Sequence, residues 1–124
     1  MTDYHLARTE ALFADLIWEN EPISSGDLVR LCEKELNWKP TTTYTVLRRL
    51  CEKEIFQNQN RIVSSRISRE EFYGHQGRQL VDGAFAGSLP KFLAAFIGNG
   101  KLNRKQAEEI RRMIDEYQEE EGED

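Results

Sequence analysis

Residues 38–50 read WKPTTTYTVLRRL and have the pattern of a short helix with two different faces. Pro40 marks the start of this helix, because proline fits the first helical position, where its missing N–H is not needed. Residues that recur at spacings of three and four form one apolar face that would pack on a core. These residues are Thr43, Val46, Leu47 and Leu50.

The opposite face of this helix carries hydroxyl and guanidinium groups, on Thr41, Thr42, Tyr44, Thr45, Arg48 and Arg49. Threonine methyl groups suit thymine, hydroxyls donate or accept hydrogen bonds, and guanidinium groups bind phosphate or guanine. This chemistry predicts a helix that enters the major groove of double-stranded DNA, with Lys39 and Arg61 as further basic contacts. Two alternatives stay open: the face is ordinary solvated surface, or it binds another protein as part of an adaptor module.

Two further helices are predicted before this one. The first covers residues 10–18, is amphipathic, and ends before Pro22. The second covers residues 27–36, with Ser24 or Ser25 as its N-cap. Only three residues separate the second helix from the Pro40 helix. Two short helices joined by such a tight turn form a helix-turn-helix.

A small β-hairpin is predicted after these helices. Ile55 and Phe56 can pair with residues 61–67, because the polar stretch 57–60 has the composition of a turn. A hairpin in this place is the wing of a winged helix. The predicted fold class is therefore mainly α: a winged helix-turn-helix with a small β-hairpin wing, followed by a C-terminal helical dimerisation domain.

The second part of the chain has more large apolar side chains than three short helices can bury: Phe85, Leu89, Phe92, Leu93, Phe96, Ile97, Ile110 and Ile114. Because burial of apolar surface drives obligate association, we predict a homodimer. In the alternative, this segment folds back on its own winged helix as one monomeric core. The predicted domains are residues 1–69, which bind DNA, and residues 70–124, which dimerise and end in an acidic tail.

The charge of the chain is unevenly distributed. The 124 residues carry a net charge of −5, which by itself is unfavourable for nucleic-acid binding. Residues 1–69 hold ten basic and ten acidic residues, whereas residues 70–124 hold seven and twelve. Because phosphate contacts are local, a neutral domain can bind DNA through residues 39–50, which contain three basic residues and no acidic one.

Other classes of function lack their signatures in this sequence. There is no nucleophile with a base, no pair of catalytic carboxylates and no phosphate-binding glycine loop, so we expect no enzymatic activity. Cys32 and Cys51 have no second thiol or histidine at ligand spacing, which predicts core or half-buried residues and no metal or cofactor. Since no apolar run reaches the ~20 residues of a membrane span and no signal segment is visible, we expect a cytoplasmic protein without membrane insertion.

Three segments resemble the BlaI/MecI penicillinase-repressor family of winged-helix transcriptional regulators, whose relatives include copper-responsive CopY-type repressors. The segments are Ile17-Trp18, residues 38–50, and the stretch GSLPKFL at residues 87–93. The similarity extends over almost the whole chain. The C-terminal cysteine pairs of the copper-sensing relatives are absent from this sequence, which argues against a copper sensor.

This resemblance implies a dimeric repressor that acts on an inverted-repeat operator in a β-lactam-resistance or related regulatory circuit. It also implies roles for single residues of the Pro40 helix. Thr42, Tyr44 and Thr45 would face DNA bases, and Arg49 would contact a backbone phosphate.

The resemblance further implies how repression ends. In the family, a membrane sensor that detects a β-lactam triggers proteolysis of the repressor, so a sensor protease would be an indirect partner. The matching bond here is Ala95-Phe96, where characterised members have Asn-Phe. We expect the apolar neighbours of this bond to be buried. The changed residue leaves release by another signal as an open alternative.

Overall fold

The computed structural model describes residues 4–117, and within them the chain forms six α-helices and three short β-strands. In chain order these are α1 (Arg8–Asn20), β1 (Ile23–Ser24), α2 (Ser25–Leu36), α3 (Pro40–Glu52), β2 (Phe56–Gln59), β3 (Ile62–Ser65), α4 (Arg69–Ala84), α5 (Leu89–Gly98) and α6 (Arg104–Tyr117). The predicted fold class, a mainly helical winged helix-turn-helix with a hairpin wing, is confirmed. The predicted acidic tail lies outside the described residues.

Local sequence signals set the ends of α2 and α3. The hydroxyl of Ser24 accepts a hydrogen bond from the Asp27 amide at 3.0 Å, so Ser24 rather than Ser25 is the N-cap of α2. Asn37 ends α2 in the left-handed conformation, with φ at 58°, which asparagine tolerates better than most residues. Pro40 is the first residue of α3, as predicted. The helices are therefore joined by the tight turn that the helix-turn-helix requires.

The wing belongs to a three-stranded antiparallel sheet in the order β1-β3-β2. Phe56 of β2 lies opposite Ser65 of β3, and Ile23 of β1 lies opposite Val63. Strand β1 is absent from the sequence prediction, because two residues are too few to show an alternating pattern. It connects the wing to the start of α2.

The hairpin turn is shorter than predicted and lies later in the chain. The sequence favours a turn over residues 57–60, but β2 continues through Gln59, and the turn consists of Asn60 and Arg61 at φ 53° and 66°. Positive φ at both central residues matches the twist of the flanking strands. The Arg61 carbonyl accepts a hydrogen bond from the Ser25 amide at 2.8 Å, which holds the turn against the start of α2.

A single apolar core holds the helices and the hairpin of the winged helix together. Its fully buried side chains come from all three helices, the hairpin and α4: Phe13, Ile17, Leu28, Cys32, Leu50, Ile55, Phe56, Val63 and Phe72. The Trp18 ring centroid lies 5.7 Å from that of Phe72, and its indole N–H donates to the Ile67 carbonyl at 3.1 Å. The first turn of α4 is therefore part of the winged-helix core.

The chain divides into two compact units between Leu80 and Val81, inside α4. The sequence places its domain boundary earlier, after residue 69. The difference has a physical cause, because burial of Phe72 ties the start of α4 to the first unit. A composition change does not report such a contact.

The second unit contains the end of α4 together with α5 and α6. The Ser88 hydroxyl caps α5 by accepting the Lys91 amide at 3.1 Å, and the Asn103 side chain caps α6 by accepting the Gln106 amide at 2.8 Å. Within residues 4–117, no residue of α5 or α6 is buried. Within residues 4–117 no single helix is long and apolar enough to cross a membrane, and only the bent pair α4 and α5 reaches that length and composition together.

Candidate nucleic-acid interface

Helix α3 has the two faces that the sequence predicts. Its apolar face is buried in the core and consists of Thr43, Val46, Leu47 and Leu50. The opposite face is exposed and carries Thr41, Thr42, Tyr44, Thr45, Arg48 and Arg49. Glu52, in the last turn, is the first acidic residue of this helix. The exposed face is therefore polar and cationic over most of its length.

Two of the exposed residues share a groove with strand β2. The groove has a volume of about 300 Å³ and is lined by Tyr44, Leu47, Arg48, Cys51 and Asn58. Arg48 forms no salt bridge with any residue in the range 4–117. Its guanidinium group is therefore available to an external anion or base edge.

The other exposed residues line a second groove of about 230 Å³, which is formed by Thr41, Thr42, Thr45, Val46 and Arg49. The Thr45 hydroxyl donates to the Thr41 carbonyl of its own helix at 2.9 Å. Because this bond uses the hydroxyl proton, the methyl group is the part of Thr45 best suited to an outside contact. Apolar contact with a threonine methyl is one way in which the thymine methyl is recognised.

Arg49 is already half of an ion pair. Its Nη1 donates to Oε2 of Glu10 in α1 at 2.9 Å. The other Glu10 oxygen accepts the Ala7 amide at 3.0 Å and lies 3.9 Å from Nζ of Lys53. Burial opposes ionisation of Glu10, but the Ala7 amide and the two cations outweigh burial and lower the pKa of this carboxyl. Glu10 is therefore a buried anion with a partner for each oxygen.

Lys39 and Arg61 are exposed, but neither lines the two grooves. Lys39 is the N-cap residue of α3, and its carbonyl accepts the Thr43 amide at 3.2 Å. Arg61 lies in the hairpin turn. The structure thus places six of the eight predicted DNA contacts together on one helix face and the other two elsewhere in the first unit. DNA contact by all eight stays a prediction.

The cysteines are free thiols, with Cys32 buried and Cys51 half-buried, as predicted. Burial raises the pKa of both thiols, and at Cys32 an interaction with the Thr43 hydroxyl offsets a part of this effect. Neither thiol is therefore activated as a nucleophile. Among residues 4–117, no three His, Cys, Asp or Glu side chains are grouped so that they could hold a metal ion.

The second unit presents an open apolar surface. All eight residues predicted to dimerise are partly or largely exposed: Phe85, Leu89, Phe92, Leu93, Phe96, Ile97, Ile110 and Ile114. Two grooves of about 320 and 420 Å³ cross this surface, and both are lined by Ile110 and Met113. Phe96 is 58% exposed in the single chain. We call this set of eight residues the apolar surface.

The Ala95-Phe96 bond lies inside α5. Both residues are exposed and no other residue of α5 is buried, so the prediction that the apolar neighbours of this bond are buried is wrong for the single chain. The Ala95 carbonyl accepts a hydrogen bond from the Asn99 side chain at 2.9 Å, in the last turn of the helix. A protease would need local unwinding of this helix before it could bind an extended substrate.

Two residues of the first unit's site have no signal in the sequence. Asn58 lies in the stretch that the sequence assigns to a turn, although it is a strand residue beside α3. Glu10 is 39 positions away from Arg49. Periodicity reports which residues share a face of one element, whereas these neighbours arise from the packing of one element on another.

Comparison with known proteins agrees with this architecture. The model of the penicillinase repressor family matches residues 6–116. The chain is 24% identical over 106 residues to the penicillinase repressor of Staphylococcus aureus, covering 82% of this chain and 84% of that protein. It is 19% identical over 115 residues to the methicillin resistance regulatory protein MecI of Staphylococcus aureus, covering 90% of this chain and 94% of that protein.

Proposed function

The chain belongs to the penicillinase repressor family, and from this premise we propose that it is a transcriptional repressor that binds an inverted-repeat DNA operator as a homodimer. The observation that carries the proposal is the exposed face of α3. Hydroxyl, methyl and guanidinium groups stand together there, and residues 40–51 include no carboxylate. These are the groups that proteins use to contact base edges and phosphates.

In this proposal α3 enters the major groove, which is wide enough for an α-helix. Thr42, Tyr44 and Thr45 contact base edges, with the Thr45 methyl group against a thymine. Arg48 and Arg49 supply positive charge toward the DNA, supported by Lys39 and Arg61 at the edges of the contact. Since residues 1–69 hold equal numbers of basic and acidic residues, we expect their affinity for DNA to depend on few phosphate contacts.

Homodimerisation is assigned to the apolar surface of the second unit. Phe96 and Leu89 are more than half exposed in the single chain, and large contiguous apolar patches usually mark interaction sites. A two-fold dimer uses the same surface on both copies, and it presents two copies of α3 to two half-sites. The operator would therefore be an inverted repeat.

Release of the operator would follow loss of the dimer contact through a cut inside the second unit. Cleavage of Ala95-Phe96 in α5 would disconnect the first unit from part of the apolar surface, and two weak half-site contacts would no longer act together. A membrane sensor protease that responds to a β-lactam would trigger the cut indirectly. Because alanine replaces the asparagine of characterised members, another signal is the alternative. Exposure of cells to a β-lactam, followed by mass spectrometry of the chain, distinguishes the two: derepression without a fragment ending near Ala95 excludes this cut.

Fluorescence anisotropy tests the proposed DNA binding. One labelled duplex carries a dyad of the TACA/TGTA type, which the family resemblance implies, and a second duplex has the same composition in scrambled order. We expect tighter binding to the dyad. Tyr44→Ala should lower affinity for the dyad by ~1–3 kcal/mol and affinity for the scrambled duplex much less.

Arg48 and Arg78 provide a test variant and its matched control for the electrostatic contribution to DNA binding. Arg48→Ala should weaken binding to both duplexes and reduce the salt dependence by about one phosphate contact. Arg78 is also exposed but lies on α4, away from the proposed contact, so Arg78→Ala should change neither the affinity for the duplexes nor its salt dependence. Equal affinity of the parent protein for dyad and scrambled DNA would refute sequence-specific operator binding of this kind. The adaptor interpretation would then be favoured.

A further inference from the structure

The two arginines of the exposed face of α3 differ in their surroundings. Arg49 donates to Glu10 of α1 at 2.9 Å, whereas Arg48 forms no salt bridge with any residue from 4 to 117. The side chain of Glu10 is only 9% exposed, and that of Arg49 is 50% exposed. A buried carboxylate on one helix therefore holds a half-exposed guanidinium group on another.

Glu10 is itself fixed in place. The Ala7 amide donates to Oε1 at 3.0 Å, and Nζ of Lys53 lies 3.9 Å from the same oxygen. Lys53 also donates to the His5 carbonyl at 3.1 Å. Oε2 remains for Arg49. Because each carboxylate oxygen has a defined partner, the carboxylate has little freedom to rotate away from the guanidinium group.

The pair leaves most of the guanidinium group available. A guanidinium carries five N–H donors, and the bond to Glu10 engages only Nη1. Arg49 also lines the groove that contains Thr41, Thr42 and Thr45. It can therefore keep its bond to Glu10 and still donate to a phosphate at the edge of that groove.

We infer that Glu10 is a positioning residue for DNA binding, which holds the Arg49 guanidinium group in place beside the groove so that it meets a DNA phosphate without first being ordered. The inference rests on the proposed function and adds to it the residue that prepares the phosphate contact. A long side chain that is already ordered loses less conformational freedom when it binds. Arg48, which has no such partner in the described part of the chain, loses more.

A double-mutant cycle on the full chain tests this inference. The variants are Glu10→Ala, Arg49→Ala and the double variant, and the probe is the TACA/TGTA duplex at several salt concentrations. We expect Glu10→Ala to weaken binding by about 3- to 10-fold, the range that the ordering of one long side chain implies. In the Arg49→Ala background the same substitution should have no further effect, because there is no guanidinium group left to position.

Asp15→Ala is the matched control. Asp15 also lies on α1 and pairs with an arginine at 3.0 Å, but that partner is Arg69 in α4. Its loss should leave DNA affinity unchanged. Thermal unfolding of every variant measures stability separately, and Glu10→Gln serves where alanine prevents folding. Glutamine is uncharged and has an acceptor oxygen at only one of the two positions that Oε1 and Oε2 occupy, where the Ala7 amide and Arg49 bind separate oxygens. This variant should therefore also bind DNA more weakly, but only while Arg49 is present.

The outcomes are distinct. If Glu10→Ala weakens DNA binding equally in the parent and in the Arg49→Ala background, Glu10 acts by stabilising the fold, and the inference is overturned. Tighter binding would overturn it as well, because Glu10 would then compete with phosphate for Arg49. If the parent protein binds the operator and Arg49→Ala does not weaken this binding, the inference is refuted and the proposed function stays intact. A parent protein without salt-dependent DNA binding would refute both.

Discussion

Replacement of Thr43 by valine should stabilise the first unit. Thr43 is fully buried on the inner face of α3, and among residues 4–117 its hydroxyl has no hydrogen-bond partner apart from an interaction with the Cys32 thiol. An unsatisfied buried polar group costs about 1–3 kcal/mol, and the thiol offsets some of that cost. Valine keeps the shape and removes the hydroxyl, so we expect a gain of about 1 kcal/mol.

The opposite change isolates the methyl group. Thr43→Ser keeps the hydroxyl and removes the methyl, which should cost about 1 kcal/mol of buried apolar contact or more if a cavity remains. For a unit of this size, 1 kcal/mol corresponds to a shift of roughly 4–8 °C in melting temperature. Thermal unfolding followed by circular dichroism should therefore rank the variants valine, threonine, serine, from most to least stable.

DNA affinity provides the control for Thr43. Because the side chain has no exposed surface, Thr43→Val should bind the TACA/TGTA duplex as the parent does. A valine variant that melts below the parent would refute the reasoning. It would mean that the Cys32 thiol and the Thr43 hydroxyl form a bond worth more than the desolvation of the hydroxyl.

Three further predictions concern other parts of the molecule. Because the folded-state pKa of Glu10 is lowered, the stability it contributes is present above the ordinary carboxyl value of 4.5 and is lost as pH falls through the folded-state value. Urea unfolding across this pH range should show the loss, and Glu10→Gln should reduce the change of the unfolding free energy with pH. Thr45→Val should retain affinity for the dyad while Thr45→Ser loses it, and deoxyuridine in place of the contacted thymine should remove the difference between them. If serine binds as well as valine, the Thr45 methyl group makes no contact. Phe96→Glu should abolish self-association in sedimentation experiments by placing a charge on the apolar surface, and a parent that already sediments as a monomer would contradict the dimer.

The starts of α2 and α3 could be predicted from the sequence because the signals act within one turn. Pro40 begins α3, where its missing N–H is not needed, and Ser24 caps α2 by accepting the amide three residues further on. The inner and outer faces of α3 follow from spacing alone for the same reason. Local interactions of this kind are visible in a single sequence.

The hairpin shows where local reasoning fails. Residues 57–59 are polar and largely exposed, and a turn has the same composition as an exposed strand of this length. Only pairing with β3 shows that Phe56 to Gln59 are a strand and that Asn60 and Arg61 form the turn. The place of Phe72 in the core, and with it the later division of the chain, likewise depends on contact with Trp18.

The sequence therefore specified which residues α3 exposes, and the tertiary structure decided which of them are paired with side chains of other elements. Two arginines at adjacent positions are alike in any pattern, yet Arg49 is held by Glu10 and Arg48 is unpaired within the described chain. The difference arises because the fold brings Glu10 of α1 beside Arg49 of α3, although these side chains are 39 positions apart. Periodicity follows from the geometry of one helix, whereas an ion pair between helices follows from how their buried faces pack, which no spacing within either helix encodes.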